Sequence, residues 1–136
     1  MTDATHGPER FTPLTKETMT EAQRAAAEAI VSGPRGGMRG PFKLLLRSPD
    51  LADKVQRVGE YIRFRSSIPR HLNEMAILIC ARAWTAQFEW YAHRELAIEA
   101  GLDPSVADAI ARNERPAEMD QDMAALWTCL LYTSPS

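Results

Sequence analysis

The sequence predicts an all-α protein of about six helices. In several segments the apolar residues recur every three or four positions, as they do on one face of a helix. No segment alternates apolar and polar residues for long enough to form a strand. Capping residues and prolines stand where such helices would begin. At 136 residues, the chain has the usual length of one domain.

A polar lead-in, residues 1–19, precedes the first predicted helix. Thr20 fits a capping box with Gln23, and the alanine-rich stretch after it has a high helix propensity. The stretch 33–41 contains four glycines and two prolines, so it predicts a loop in which the first helix has ended.

Two helices are predicted between this loop and residue 67. The first is short and covers residues 42–47 between two prolines. The second opens at Asp50 and ends near Ser66, and its apolar residues share one stripe at helical spacing. The stripe consists of Leu51, Val55, Val58 and Ile62.

The second half of the chain contains the predicted central helix and three more. Pro69 begins the longest segment as a first-turn proline. Its apolar residues form a broad face: Leu72, Met75, Ala76, Ile77, Leu78, Ile79 and Ala83. We divide this segment at Thr85, taken as the cap of a new helix that Gly101 stops. Asp103-Pro104 opens another helix, and the last one starts near Glu118.

Residues 129–136 do not continue the helical pattern, and the string looks like translated sequencing-adaptor sequence. We therefore expect a flexible lead-in at 1–19, a helical domain at 20–128 and an atypical, artefactual tail at 129–136. On this interpretation the natural protein is longer.

Composition and charge exclude several classes of function. The net charge of −2 gives no electrostatic case for binding nucleic acid. No apolar run approaches the roughly 18 residues of a membrane span, and the polar N-terminus is no secretory signal, so we expect a cytoplasmic protein. Cys80 and Cys129 form no Cys-x-x-Cys pair, and Cys80, in an apolar run, is predicted to be a buried, inert thiol.

Three residues form the candidate chemical constellation: Glu74, Glu89 and His93. If the chain folds back at Thr85, Glu74 and His93 lie roughly 16 Å and 12 Å from the turn, and therefore nearly level. Glu89 and His93 are four positions apart and share a helical face. Two carboxylates beside one imidazole make a proton-transfer unit. From spacing alone, the alternative is an exposed Glu–His pair with Glu74 solvated elsewhere.

The stretch Ala-Gln-Phe-Glu-Trp-Tyr-Ala-His, residues 86–93, resembles the signature of the carboxymuconolactone decarboxylase family. Glu74 before it, Ala-Gly-Leu after it and the segment 39–49 are similar to that family as well. The resemblance covers roughly residues 14–127. It implies the alkylhydroperoxidase D-like helical fold, and assembly as a homotrimer or homohexamer.

The resemblance also implies roles for individual residues. Alkylhydroperoxidase D members use a Glu, a Cys-x-x-Cys pair and a His, which match Glu74, Ala86, Glu89 and His93 in this chain. Because the two cysteine positions hold no thiol, peroxiredoxin activity would describe relatives better than this protein. The decarboxylase branch remains, which needs no cofactor and releases CO₂ from a carboxylated lactone in aromatic catabolism. His93 would be the acid, Glu74 its orienter and Glu89 a tuning carboxylate.

Four further residues are candidates for substrate binding. Arg35 and Arg39 in the glycine-rich loop would meet a carboxylate, unless both are solvated surface charges. Trp84 and Trp90 would wall a pocket, unless they belong to the core or to a subunit interface. No metal-binding motif is present in the sequence, and we expect no metal. Two other functions stay open: a non-catalytic oligomeric protein that binds a small molecule, and a thiol peroxidase that uses Cys80.

Overall fold

The computed structural model describes residues 11–133, and every regular element in that range is a helix. The all-α prediction is confirmed, with seven helices in these residues where about six were expected. They are α1 (Glu21–Ser32), α2 (Phe42–Leu45), α3 (Pro49–Phe64), α4 (Arg70–Ala83), α5 (Gln87–Glu99), α6 (Pro104–Ala111) and α7 (Gln121–Thr133). The chain divides into two compact units, one ending at Tyr61 and one beginning at Ile62.

The first unit begins its helices with the predicted capping box. The Gln23 N–H donates to Thr20 Oγ1 at 3.2 Å, and the Thr20 N–H donates to Gln23 Oε1 at 2.9 Å. These two bonds satisfy backbone donors that a helix N-terminus otherwise leaves open. The small core of this unit brings together Ile30, Phe42 and Ala52.

The apolar stripe of α3 is exposed, whereas an amphipathic helix normally covers such a stripe. Its members Leu51, Val55, Val58 and Ile62 are between 39% and 60% exposed. The buried residues of α3 are Ala52 and Gln56. Helical spacing shows which residues share a face, but it does not show which face a neighbouring element covers.

The second unit is built around α4, as predicted. This helix packs against α5, α6 and α7. Its Leu72, Met75, Leu78 and Ile79 belong to the buried core, together with residues of those helices and of the α5–α6 turn: Ala97, Leu102, Val106, Ala107, Ile110, Met123 and Trp127. A continuous apolar face on α4 is therefore matched by three partner helices.

The last helix departs from the sequence prediction at both ends. It begins at Gln121, where the Met123 N–H donates to Asp120 Oδ1 at 2.8 Å, and it continues to Thr133 instead of stopping before Cys129. Leu130 packs against the core of the second unit, so apolar burial extends the helix into the predicted tail. Residues 134–136 of that tail, and 1–10 of the lead-in, lie outside the described residues. The limits of 20 and 128 for the helical domain stay predictions.

Three helices of the second unit end in the same turn. After α4, the Ala86 N–H donates to the Ala81 carbonyl at 2.8 Å and the Thr85 N–H donates to the Arg82 carbonyl at 3.2 Å. This pair of bonds is the Schellman motif, in which the residue after the cap takes a positive φ. Thr85 has φ +52°, and Gly101 and Asn113 take the same place after α5 and α6, with φ +99° and +59°.

The prediction that Thr85 caps α5 is therefore wrong. The N-cap of α5 is Ala86, which makes no side-chain capping bond. Thr85 closes the preceding helix because its backbone is needed in the left-handed turn. The predicted cap at Asp103 is confirmed, since its Oδ1 accepts from the Ser105 N–H at 2.8 Å with Pro104 in the first turn.

Within residues 11–133, no helix combines the length and the apolar character that a membrane crossing requires.

Candidate active site

The hairpin of α4 and α5 brings Glu74 and His93 together inside the second unit. Glu74 lies on the buried face of α4, beside Met75, and His93 lies on the buried face of α5. The two residues are 3% and 8% exposed. Both helices run away from the short turn at Thr85, so residues at similar distances from it become neighbours.

A short hydrogen bond joins the two side chains. His93 Nδ1 lies 2.7 Å from Glu74 Oε2. An ionised carboxylate can only accept, so with Glu74 ionised the Nδ1–H donates to it. This bond orients the imidazole ring and fixes its tautomer, which leaves Nε2 as the nitrogen that takes up and releases a proton.

Glu89 faces that second nitrogen. Its Oε2 lies 3.4 Å from His93 Nε2, within ion-pair distance when the ring is protonated. The Glu89 side chain is 41% exposed, whereas that of Glu74 is 4% exposed. The three groups therefore form a line from the buried Glu74, through His93, to Glu89, whose carboxylate is in contact with solvent. We call these three residues the proton-transfer line.

Glu89 lies at the wall of an apolar cavity of about 340 Å³. Its other walls include Ile77, Cys80 and Trp84. Glu74 borders a different cavity, of about 390 Å³, which is also lined by Arg63 and Arg70. The proton-transfer line thus ends at an apolar cavity on one side and at a cationic one on the other.

Asn73 borders both cavities and holds the chain before α4 in place. Its Nδ2 donates to the carbonyls of Ile62 and Ile68, at 3.0 Å and 3.4 Å. One amide thus ties the end of α3 to the entry of α4, so the walls of the two cavities are held together.

The prediction that Cys80 is a buried thiol is wrong. Its neighbours Ile79 and Ala81 are buried, but Cys80 is exposed and lines the apolar cavity. Successive helical residues differ in direction by about 100°, so one position in an apolar run can turn outward. Ala86 and Glu89, at the positions that match the cysteine pair of alkylhydroperoxidase D, line the same cavity.

The predicted tryptophans occupy different surroundings. Trp84 is 68% exposed and forms part of the wall of the apolar cavity beside Glu89. Trp90 is half-buried, packs against the core and lines a further cavity of about 350 Å³. Trp84 thus shares a cavity with Glu89, a member of the proton-transfer line.

The predicted arginines belong to the first unit. The Cζ of Arg35 lies 4.6 Å from the ring centroid of Phe42, a cation–π contact. Arg39 is exposed. Their role as substrate ligands stays a prediction. Arg82 is engaged elsewhere, since its Nε donates to the Ala111 carbonyl at the end of α6 at 2.8 Å.

Sequence reasoning did not select Arg63, Arg70 or Asn73. A signal was present for Arg70, which precedes Glu74 by four positions and so lies one helical turn away. Asn73 is adjacent to Glu74 in sequence, but its tie to Ile62 depends on how the chain enters α4. Arg63 comes from the end of α3, and no helical spacing relates it to Glu74.

Among the described residues, no three His, Cys, Asp or Glu side chains are grouped so that they could hold a metal ion. Comparison of the chain with protein-family models, curated proteins and solved structures finds no match.

Proposed function

We propose that this protein is a small, cofactor-free acid–base enzyme of the carboxymuconolactone decarboxylase type. Its substrate would be a small carboxylated metabolite of the lactone class. The observation that carries the proposal is the buried hydrogen bond between Glu74 and His93, with Nε2 of the ring directed at Glu89. A buried carboxylate and imidazole are costly to desolvate, which supports a role beyond packing.

The proposed reaction has two steps. The bond between the carboxylate carbon and the ring breaks, CO₂ leaves, and the electron pair is delocalised onto the lactone carbonyl. His93 Nε2–H then delivers a proton to carbon, and the neutral imidazole regains one from solvent. A positioned general acid suits this step.

The apolar cavity supports the first step. A carboxylate held among Ile77, Cys80 and Trp84 loses hydrating water, whereas the transition state spreads its charge over more atoms. Glu74 would keep the imidazole oriented while it gives up its proton. Glu89, at 3.4 Å from Nε2, would stabilise the protonated ring between turnovers.

The test is the turnover of a panel of carboxylated lactones by the His93→Gln variant. We expect a loss of about 10²- to 10⁴-fold, because glutamine cannot donate and regain a proton as imidazole does. Circular dichroism and gel filtration should show unchanged folding and assembly. His71→Gln, a variant at a histidine of α4, is the control and should retain full turnover. Activity in His93→Gln equal to that of the wild type would refute the proposal.

One observation favours a second candidate function. Because Cys80 is exposed in the apolar cavity, a hydroperoxide can reach its thiol. A thiol peroxidase would consume hydroperoxide with the wild-type chain and lose that activity in Cys80→Ser. If the wild type acts on neither lactones nor peroxides yet binds such molecules, the interpretation as a non-catalytic binding member gains support.

We also propose that the chain assembles with copies of itself, as a trimer or hexamer. Two sets of exposed apolar side chains support this. One is the α3 stripe of Leu51, Val55 and Val58, and the other, in the second unit, consists of Trp84, Phe88 and Tyr91. Exposed apolar side chains grouped on one surface are typical of protein interfaces.

A further inference from the structure

The cationic cavity beside Glu74 has a role that the proton-transfer line does not explain. It is lined by the end of α3, the connection to α4 and the first turns of α4, through Arg63, Ser66, Arg70, Asn73 and Glu74. Two arginines and one glutamate line it. That carboxylate is already engaged with His93, so positive charge is in excess.

Arg63 is the residue of this cavity whose surroundings most need an explanation. Its Nε is buried, and it has no hydrogen-bond partner among the residues that the structure describes. The guanidinium carbon lies 5.1 Å from the ring centroid of Phe64, which holds the group over an aromatic face. A buried N–H without an acceptor costs free energy, so hydrogen bonds within the described residues do not account for the position of this guanidinium.

We propose that this cavity binds a carboxylate group of the substrate, with Arg63 and Arg70 as its ligands. The assignment rests on the proposed function, and it deepens that function by naming the group that anchors the substrate. A guanidinium offers paired N–H donors at the spacing of two carboxylate oxygens. A volume of about 390 Å³ accommodates a carboxylate and the carbon atoms next to it.

The anchored carboxylate is one that the reaction retains. An ion-paired carboxylate is stabilised and therefore resists losing CO₂, whereas one among apolar side chains is destabilised. Because Asn73 borders both cavities, they adjoin at that residue. A substrate with two carboxylates would place one against Arg63 and Arg70, and the other, which departs, in the apolar cavity beside Glu89.

The experiment measures binding instead of turnover. Muconate, an unsaturated dicarboxylate, and its uncharged dimethyl ester are titrated calorimetrically into the full chain. We expect Arg63→Gln with Arg70→Gln to weaken muconate binding by about 10²-fold, because two charge-assisted contacts are lost. Binding of the ester should change by less than about twofold. Arg115→Gln, which removes an arginine outside the cavity, is the matched control and should bind muconate like the wild type.

Three outcomes would overturn the proposal: no muconate binding by the wild type, an unchanged affinity in the double variant, or an equal loss for the ester. Arg70→Gln alone alters an exposed residue, and it should still weaken muconate binding if the double variant folds poorly. Different results would refute the proposed enzyme function and the proposed carboxylate site. His93→Gln should keep its affinity for muconate while losing turnover, so an inactive wild type with arginine-dependent binding would refute only the proposed function.

Discussion

Glu74 is a carboxyl side chain at a position where the fold buries its neighbours. It sits on the buried face of α4, where Met75 and Leu78 show no exposure at all. A carboxylate in such surroundings loses hydration, and the 2.7 Å bond from His93 offsets only part of that cost. Glu74 also lines the cavity that contains Arg63 and Arg70.

At this scale we predict that Glu74→Ala destabilises the protein. The substitution leaves the Nδ1–H of a buried imidazole without its acceptor, so the free energy of unfolding should fall by about 2 kcal/mol. Urea denaturation followed by circular dichroism measures the change. Glu95→Ala, on the exposed side of α5, should stay within about 0.5 kcal/mol of the wild type. Equal midpoints for both variants would show that the buried bond contributes nothing.

At the scale of the element, three helices of the second unit end in the same Schellman turn, and a different residue takes the positive φ in each. Gly101 and Asn113 suit the left-handed conformation, whereas Thr85 is β-branched and its positive φ introduces strain. Thr85 stands in the turn between the helices that carry Glu74 and His93. The strain is therefore located where the geometry of the candidate site is set.

We predict that Thr85→Gly raises the free energy of unfolding by about 1 kcal/mol, because glycine adopts this φ without a Cβ clash. Thermal unfolding measures it. The matched control is Gly101→Ala at the equivalent position after α5, where an added Cβ has no atom within 4 Å and only the backbone conformation opposes it. That variant should lose about 1 kcal/mol. The free energy of unfolding should therefore rise in Thr85→Gly and fall in Gly101→Ala. A change in the same direction in both variants would contradict the prediction.

The cap of α6 makes the stability of this element depend on pH. The pKa of Asp103 is lowered from its ordinary value of 3.8 by hydrogen bonds from the Ser105 side chain and then its backbone N–H. A carboxyl whose pKa is depressed by folding contributes stability that is complete above 3.8 and lost as the pH falls through the lower folded value. Asp103→Asn keeps a capping oxygen without titrating.

We therefore expect the melting temperature of the wild type to fall relative to that of Asp103→Asn as the pH decreases from about 5 to about 2. Melting curves of both proteins across this range measure the difference. A difference that does not vary with pH would show that the ionised form of Asp103 has no special role.

The same elements show what the sequence can and cannot predict. The caps at Thr20 and Asp103 are local, so the sequence predicts them correctly. The near-level placement of Glu74 and His93 comes from helix rise and one turn. The exposure of Cys80 depends on where neighbouring helices lie, which no single helix encodes. The cavity that contains Arg63 depends likewise on how the chain enters α4.

At the scale of the whole molecule, the exposed apolar residues of α3 favour contact with another chain. Leu51, Val55 and Val58 form an exposed stripe on α3, with Val58 60% exposed. Isolated exposed apolar residues are ordinary, but a stripe along one helix face favours a partner surface. Self-association would remove that stripe from water.

We predict that Val58→Asp lowers the mass measured by light scattering after gel filtration, towards the 15.2 kDa of one chain. A charge buried in an interface without a partner costs several kcal/mol, so assembly should weaken strongly. Lys54→Asp, on the same helix but at an exposed polar position, is the control and should keep the assembled mass. A wild-type chain that already elutes at 15.2 kDa would exclude self-association through this stripe.

The number of residues between the start of α5 and His93 is a property of the candidate site. Each residue added to a helix rotates the rest of that helix by about 100° and advances it by about 1.5 Å. One extra amino acid inserted into α5 between Gln87 and His93 would swing His93 away from Glu74, although every chemical group would still be present. A chain could therefore keep Glu74, Glu89 and His93 and still lose the contact between Glu74 and His93 through a single insertion in this part of α5.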